Sequence, residues 1–245
     1  MRSGGNECPK PLRKVGRVPM IGRVLRTLAK AGVSETAVIT GYRAQDVEAA
    51  VRAVRPRGMR IEFIRNQEYL RKNGVSVLAA ADFIGTECLL SMADHLYSPL
   101  LVERLLRQPI PCDGCALAVD YNIAACLDLD DATKVRVRHG RIAEIGKTLR
   151  NFDALDTGVF RITPALVGEL ERVRDERGDC SLSDGVGALA AGGHFWACDV
   201  GDARWIDVDT PELRAEAERL LEVLGDDLAG ARVAPQPFVH ATAPA

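Results

Sequence analysis

The stretch ECLLSMADHLYSPLLVERLLRQPIPCDGCALAVD (87–120) contains two apolar runs, one ending at Asp94 and one ending at Asp120, with a helical pattern at 98–108 between them. A strand, a helix and a second strand in this order predict a βαβ unit, in which the two strands run parallel. The same alternation of helix and strand precedes this stretch over residues 19–84. The sequence therefore predicts an α/β fold with a doubly wound, mostly parallel, Rossmann-like sheet.

The C-terminal half of the chain has a different pattern. The segment KVRVRHGRIAEIG (134–146) alternates apolar and polar residues around a central His-Gly pair, which predicts a small β-hairpin with a tight turn. Further strands and helices follow, and the last helix is expected to be capped by Thr210. Residues 1–225 are predicted to form one domain. The Ala, Pro and Gly content of residues 226–245 predicts a disordered tail.

The composition excludes several classes of partner. The formal charge of −2 and the pI near 6.1 provide no overall basic field for nucleic acid or an anionic membrane, so small molecules are the expected partners. The sequence contains no apolar run near the roughly 20 residues that a membrane-spanning helix needs. The seven cysteines lack the spacing of a disulfide framework, which indicates reduced thiols and a cytoplasmic protein.

Acidic residues at strand ends are the first candidates for a functional site, because ligands bind at the carboxyl ends of the strands in an open parallel sheet. Asp94, Asp120 and Asp207 each end or follow an apolar run. Two carboxylates from separate strands suit a Mg²⁺ ion that takes its other ligands from phosphate and water, although each could instead be a helix cap or a solvated strand end. For Asp209, a helix cap is the favoured interpretation. Lys10, beside a helix start, could contact an anion or remain a solvated surface lysine.

Eight motifs occur in the order found in sugar-nucleotide and alcohol-phosphate nucleotidyltransferases. They are PKPL (9–12), NGVSVLAA (73–80), MADH (92–95), LAVD (117–120), DATKV (131–135), IGK (145–147), DTGVF (156–160) and WIDVDTPE (205–212). Over residues 8–224 the chain most resembles the CTP:inositol-1-phosphate cytidylyltransferases, which are similar to the phosphocholine cytidylyltransferases. The resemblance implies that residues 1–225 form a nucleotidyltransferase domain. Such a domain would transfer a cytidylyl group from CTP to a small phosphorylated alcohol, such as inositol 1-phosphate, and release pyrophosphate.

The resemblance also implies roles on the nucleotide side of the site. Lys10 would contact the triphosphate and act as a catalytic residue by stabilising the leaving pyrophosphate. Asp94 would bind the nucleotide and, together with Asp207, would hold the cofactor Mg²⁺. The nucleobase would be bound by three residues of one segment: Asn73, Gly74 and Ser76.

On the acceptor side, the resemblance implies that Lys147 faces the acceptor phosphate as the second catalytic residue. Five further residues match acceptor-side positions: Asp120, Lys134, Asp156, Thr157 and Gly158. A phosphate nucleophile is already ionised at neutral pH, so catalysis needs alignment and charge neutralisation rather than a general base. We therefore expect His95 to hydrogen-bond its neighbours rather than to remove a proton.

One part of the family pattern is not matched. These enzymes share a first strand and a glycine-rich loop before PKPL, whereas MRSGGNEC precedes it here. We therefore expect an N-terminally truncated domain, with Met1 as an internal methionine of a longer reading frame. Any membrane-embedded alcohol phosphotransferase that acts downstream is expected to be a separate protein.

Several alternatives remain open at this point. The acceptor could be phosphocholine or a sugar 1-phosphate, and the chain could be a degenerate nucleotide-binding protein without turnover. An NAD-dependent oxidoreductase is disfavoured, because no Gly-x-Gly-x-x-Gly motif follows a strand.

Overall fold

The computed structural model describes residues 7–228, and within this range no helix is long and apolar enough to cross a lipid bilayer. The strands are β1 (Lys14–Val15), β2 (Val18–Pro19), β3 (Glu35–Thr40), β4 (Arg60–Arg65), β5 (Cys88–Ser91), β6 (His95–Tyr97), β7 (Cys115–Asp120), β8 (Lys134–Arg138), β9 (Arg141–Gly146), β10 (Ala154–Ile162), β11 (Phe195–Asp199) and β12 (Trp205–Asp207). The α-helices are α1 (Met20–Lys30), α2 (Ala44–Val54), α3 (Gly74–Ala79), α4 (Ala81–Ile84), α5 (Pro99–Arg107), α6 (Pro164–Arg177), α7 (Leu182–Ala191) and α8 (Pro211–Leu224). The expected loop remnant at residues 1–5 and residues 229–245 of the expected tail lie outside the described residues.

The largest sheet has six strands in the order β5-β10-β7-β11-β9-β8, and it is mixed rather than mostly parallel. Strands β7 and β11 pair in parallel, whereas β10 is antiparallel to both β5 and β7, and β9 is antiparallel to β11. Strands β3 and β4 form a separate parallel pair. The expectation of an α/β fold is confirmed, but the expected parallel sheet is corrected to a mixed one in which β5, β7 and β11 point in one direction.

The direction of β10 follows from the connection that precedes it. Between β7 and β10 the chain forms the loop 121–133 and the hairpin β8–β9, without an α-helix. Parallel neighbours need a long crossover, usually helical, and a strand that returns without one can enter the sheet antiparallel. The predicted hairpin is present, and its turn places His139 at φ 50° and Gly140 at φ 74°. A two-residue hairpin turn of type I′ requires positive φ at both central residues.

Helices cover both faces of the six-stranded sheet. Every residue of β7 is buried, and its alternate side chains enter two different cores. Cys115, Leu117 and Val119 pack in the cluster that contains α6 and α7, while Ala116 and Ala118 pack in the cluster that contains α1 and α5. A strand covered on both faces is apolar throughout rather than alternating, as the sequence of β7 is. The carboxyl end of β7 is thereby fixed between two packed layers.

The buried Arg23 side chain of α1 connects β1 to the last described residues. Its Nε and Nη2 donate to Val15 O at 3.1 and 2.9 Å, and its Nη1 pairs with Asp226 Oδ1 at 3.0 Å. Asp227 pairs with a lysine of α1, and the buried Leu228 belongs to the same apolar cluster as α8. The first three residues of the segment expected to be disordered therefore make specific contacts with α1 and α8.

We predict that Arg23→Met lowers the free energy of unfolding by about 1 to 3 kcal/mol, because a buried carbonyl loses its two guanidinium donors. Arg26→Met is the matched control, since Arg26 lies on the same helix and is exposed, and it should change stability by less than about 0.5 kcal/mol. Urea unfolding of both variants makes the comparison. Equal losses in the two variants would contradict the role given to Arg23.

Candidate active site

A cavity of about 620 Å³ lies beside the loop 121–133, at the carboxyl ends of β7 and β12. Residues of α8 and of the loop complete its wall. Seven of the predicted site residues line this cavity: Asn73, Asp94, Asp120, Lys147, Asp156, Gly158 and Asp207. The other five lie outside its lining: Lys10, Gly74, Ser76, Lys134 and Thr157. The structure therefore brings together residues that are far apart in the sequence.

The pairing of β6 with β12 places two of the predicted metal ligands next to each other. The strands are antiparallel, with Asp207 opposite His95, and Val208 N donates to Asp94 O at 3.0 Å. His95 Nδ1 donates to Asp94 Oδ1 at 3.0 Å and lies 3.8 Å from Asp207 Oδ1. The imidazole thus lies between two carboxylates, and the expectation that His95 hydrogen-bonds its neighbours is confirmed.

The electrostatics of this group favour a bound cation. Burial raises the pKa of Asp207 to about 6, and the nearby carboxylates of Asp209 and Asp94 add to the rise. Burial also opposes the charge on Asp94, but the hydrogen bond and charge of His95 lower the pKa of Asp94 below its usual value. Asp207 Oδ1 is buried and accepts no hydrogen bond from any residue between 7 and 228. One oxygen each of Asp94 and Asp207 and a nitrogen of His95 lie within 4.8 Å of one another, so this group could hold a metal ion.

A second acidic group adjoins the first. Oxygens of Asp131, Asp207 and Asp209 lie within 4.8 Å of one another. Asp209 pairs with Lys10 Nζ at 2.7 Å, and Asp131 pairs with Lys147 Nζ at 2.7 Å. Each of the two predicted catalytic lysines therefore pairs with a different carboxylate of this second group. The sequence analysis assigns no role to Asp131, although this residue begins the DATKV motif, because its contacts join segments that are apart in the sequence.

The expectation that Asp209 caps the last helix is wrong. The cap of α8 is Thr210, whose Oγ1 accepts from Leu213 N at 3.2 Å, as the sequence predicted. The Asp209 side chain instead forms the ion pair with Lys10. The adjacent threonine provides the cap, so the carboxylate remains available to the site.

Trp205 is a further site residue that sequence reasoning missed. Its Nε1 donates to Asp120 Oδ2 at 2.9 Å, and its ring stacks on His95 with centroids 6.0 Å apart and planes at 7°. The other oxygen of Asp120 accepts from Asn122 N at 2.8 Å. Contacts therefore run without interruption from Asp120 through Trp205 and His95 to Asp94.

An irregularity in β10 directs Asp156 toward the cavity. The pairing of β10 with β7 shifts between Asp156 and Phe160, and Asp156 Oδ1 accepts from Gly158 N at 2.7 Å. Gly158 has φ 75°, and a Cβ there would lie 2.8 Å from His95 Cδ2. Thr157 is fully buried and donates to Ala118 O at 2.8 Å. Thr157 thus forms a hydrogen bond inside the sheet, while its two neighbours, Asp156 and Gly158, line the cavity.

The predicted nucleobase segment is attached to α7. Asn73 Oδ1 accepts from Leu182 N at 2.9 Å, and a Cβ on Gly74 would lie 2.6 Å from Cys180 O. Ser76 Oγ accepts from Asn66 Nδ2 at 3.0 Å. These contacts fix the backbone of the segment, and its role in nucleobase binding stays a prediction.

Lys134 is buried, and its Nζ donates to Asp130 O at 3.0 Å. This hydrogen bond holds the backbone of the loop 121–133 at Asp130. The structure thus gives Lys134 a contact with the loop backbone, and its role in acceptor binding stays a prediction.

The model of one protein family, the MobA-like NTP transferase domain, matches residues 1–150. The chain belongs to this family. Two curated relatives are each named "Bifunctional IPC transferase and DIPP synthase". The relative from Rubrobacter xylanophilus is 40% identical, and the match covers 88% of this chain and 49% of the relative's own length. The relative from Archaeoglobus fulgidus is 34% identical, and the match covers 90% of this chain and 41% of the relative's own length. The chain thus spans about half the length, or less, of these relatives.

Solved structures of this nucleotidyltransferase fold superpose on the chain. The inositol-1-phosphate CTP transferase from T. maritima has a TM-score of 0.75 at 23% identity, covering 89% of this chain and 91% of its own. An apo UDP-glucose pyrophosphorylase has a TM-score of 0.73 at 15% identity, covering 88% and 90%. At these identities the likeness establishes the fold alone, an α/β nucleotidyltransferase fold with a mixed sheet.

We predict that Asp156→Asn stabilises the protein at neutral pH. Burial raises the pKa of Asp156 to about 6, so the folded state favours the protonated carboxyl group. The contribution of this group to stability is complete below about pH 4 and is lost as the pH rises through 6. Asparagine keeps an acceptor for Gly158 N and carries no charge. The variant should gain about 1 to 3 kcal/mol over the wild type at pH 7.5 and little at pH 4.5.

Urea unfolding at both pH values measures this difference. Asp153→Asn, which removes an exposed charge from the same segment, is the control. A gain that is equal at the two pH values would contradict the effect of burial on Asp156.

Proposed function

We propose that this nucleotidyltransferase transfers the cytidylyl group of CTP to the phosphate of inositol 1-phosphate and releases pyrophosphate. The observation that carries the proposal is the position of the two lysines. Lys10 and Lys147 each pair with a carboxylate of the same acidic group, through Asp209 and Asp131 respectively. Such an arrangement offers one cation to a leaving phosphate and another to an attacking phosphate. The choice of CTP and inositol 1-phosphate rests on the names of the relatives.

The proposed reaction requires little covalent chemistry from the protein itself. An oxygen of the acceptor phosphate attacks the α-phosphorus of CTP, a new P–O bond forms, and the bond to the β-phosphate breaks so that pyrophosphate leaves. The attacking oxygen is ionised at neutral pH, so no base has to remove a proton. The contribution of the site is to align the two phosphates and to neutralise their charge.

We propose Mg²⁺ as the cofactor, held by Asp94 and Asp207. When bound, the ion would withdraw charge from the reacting phosphate oxygens. Asp207 suits this role because its buried Oδ1 accepts no hydrogen bond within the described part of the chain. His95 would fix Asp94 through its hydrogen bond, and Trp205 would fix the imidazole ring. Lys10 would neutralise the departing pyrophosphate.

The lining of the cavity also suits a polyhydroxyl acceptor. It carries carboxylate and amide groups that can accept or donate hydrogen bonds to hydroxyls: Asp120, Asn122, Asp128, Asp156 and Glu216. Asn73, Gly74 and Ser76 are the proposed nucleobase segment, and the remaining acceptor-side candidates are Lys134, Thr157 and Gly158. We propose a cytoplasmic enzyme whose product is consumed by a membrane-embedded alcohol phosphotransferase.

A matrix of substrates tests the proposal. Each of the four nucleoside triphosphates is combined with inositol 1-phosphate, phosphocholine, glycerol 3-phosphate or a sugar 1-phosphate, and pyrophosphate release is measured. We expect the highest rate with CTP and inositol 1-phosphate. A different preferred acceptor would replace inositol 1-phosphate, and nucleotide binding without pyrophosphate release would favour a non-catalytic nucleotide-binding protein.

We predict that Asp94→Asn and Asp207→Asn each lower kcat by at least about 100-fold at saturating Mg²⁺, because each removes a charged ligand from an ion that stabilises the transition state. Thermal unfolding should show that both variants keep the fold. Asp82→Asn, an exposed change in α4, is the control for an equal change of charge. Near wild-type pyrophosphate release by either variant would rule out its assignment as a ligand.

The two lysines should give different kinetic signatures. Lys147→Ala is expected to raise the KM for inositol 1-phosphate by about tenfold. Lys10→Ala is expected to raise the KM for CTP or to lower kcat by a similar factor, because each variant loses one charge-assisted contact with phosphate. Lys14→Ala, at an exposed position of β1, is the control. If both variants changed the KM for CTP equally, the assignment of the lysines to separate substrates would be refuted.

A further inference from the structure

The ion pair between Asp131 and Lys147 joins two loop segments of the cavity lining. Asp131 belongs to the loop 121–133, and Lys147 follows the last residue of β9. Their side chains are 52% and 56% exposed, and Oδ1 lies 2.7 Å from Nζ. An exposed ion pair of this kind contributes about 0 to 1 kcal/mol, so a better anion can replace the carboxylate. Lys147 is therefore already paired before an acceptor arrives.

The loop holds Asp131 in this position through its own hydrogen bonds. Asp131 N donates to Asp128 Oδ1 at 3.2 Å, and Ala132 N donates to Asp128 O at 3.1 Å. The buried Lys134 donates to Asp130 O at 3.0 Å. These three contacts order the backbone on both sides of Asp131. The carboxylate therefore projects from an organised turn.

Asp131 also adds negative charge beside the acidic group. One of its oxygens lies within 4.8 Å of oxygens of Asp207 and Asp209. A phosphate that binds Lys147 must approach these like charges and must also compete with Asp131 for the ammonium group. Both effects weaken the binding of an acceptor phosphate as long as Asp131 carries its charge.

We propose that Asp131 is an exchangeable counterion of Lys147 that the phosphate of the acceptor displaces on binding, an inference that rests on the proposed function. A phosphomonoester carries a charge of about −1.5 to −2 at pH 7. It displaces Asp131 from Lys147 on binding. When its oxygen forms the new bond to the α-phosphorus, the same phosphate becomes part of a diphosphate and keeps a single negative charge. Asp131 then recovers Lys147, which favours release of the product.

The variant Asp131→Asn tests this role, with Asp130→Asn as the matched control. Both substitutions remove one carboxylate from the same exposed part of the loop, but the Asp130 side chain does not line the cavity. The Asp130 carbonyl that accepts from Lys134 is kept in both variants. We expect Asp131→Asn to lower the KM for inositol 1-phosphate by about threefold to tenfold and to strengthen inhibition by the product by a similar factor. Asp130→Asn should leave both values unchanged.

Two further measurements separate counterion exchange from a structural effect. The methyl diester of inositol 1-phosphate, which carries one charge, is tested as a competitive inhibitor, and its binding should gain less from Asp131→Asn than that of the dianionic acceptor, because repulsion by the Asp131 carboxylate scales with the charge of the ligand. In a Lys147→Ala background, Asp131→Asn should lower the KM by a smaller factor, because competition for the ammonium group is absent and only the repulsion by Asp131 is removed. Thermal unfolding establishes that the variants are folded, and Asp131→Ser provides a second substitution that removes the charge.

The outcomes distinguish this inference from the proposed function. If the wild type releases no pyrophosphate with any phosphomonoester, the proposed function fails, and the inference that rests on it fails with it. If the wild type is active but removal of Asp131 raises the KM or leaves it unchanged, the inference alone fails. It also fails if Asp130→Asn has the same effect, or if the effect is equally large without Lys147.

Discussion

The pairing of β6 with β12 is the contact on which the geometry of the site depends. Each strand has three residues, and the ladder sets Leu96 opposite Ile206 and His95 opposite Asp207. Successive side chains of a strand point to opposite faces, so the apolar pair enters the core while the polar pair faces the cavity. A shift of one residue would bury Asp207 and expose Ile206. The packing of one apolar pair thus fixes the position of the carboxylates.

That position is electrostatically unfavourable unless it is compensated. Asp94, Asp207 and Asp209 are close together and partly withdrawn from water, and the raised pKa of Asp207 shows the cost of holding its charge there. His95 lies between the first two, and Lys10 pairs with the third. The compensation is incomplete, because one oxygen of Asp207 accepts no hydrogen bond from the residues that the structure describes. A bound cation would supply what the protein side chains do not.

The sequence identified those parts of this arrangement that have a local signal. Asp94 and Asp120 follow apolar runs, and Asp207 lies in one, so their place at strand ends could be predicted. Contacts made only in the folded chain, such as those of Asp131 and Trp205, could not, because no periodicity or spacing relates the partners. The sheet is mixed rather than mostly parallel as predicted for a related reason, since strand direction depends on the connection between strands rather than on the strand itself.

Helix α8 connects the stability of the fold to the acidic group. Its N-terminus lies one residue beyond Asp209, where Thr210 caps it and where the unpaired N–H groups carry partial positive charge. This partial charge attracts anions that bind beside the helix N-terminus. The helix is held in turn by its own apolar residues, of which Ala217 packs in one cluster with Leu96 and Ile206. The core that sets the register of β6 and β12 therefore also orients the helix N-terminus, so that a single apolar cluster determines both where the carboxylates lie and where the helix N-terminus lies beside them.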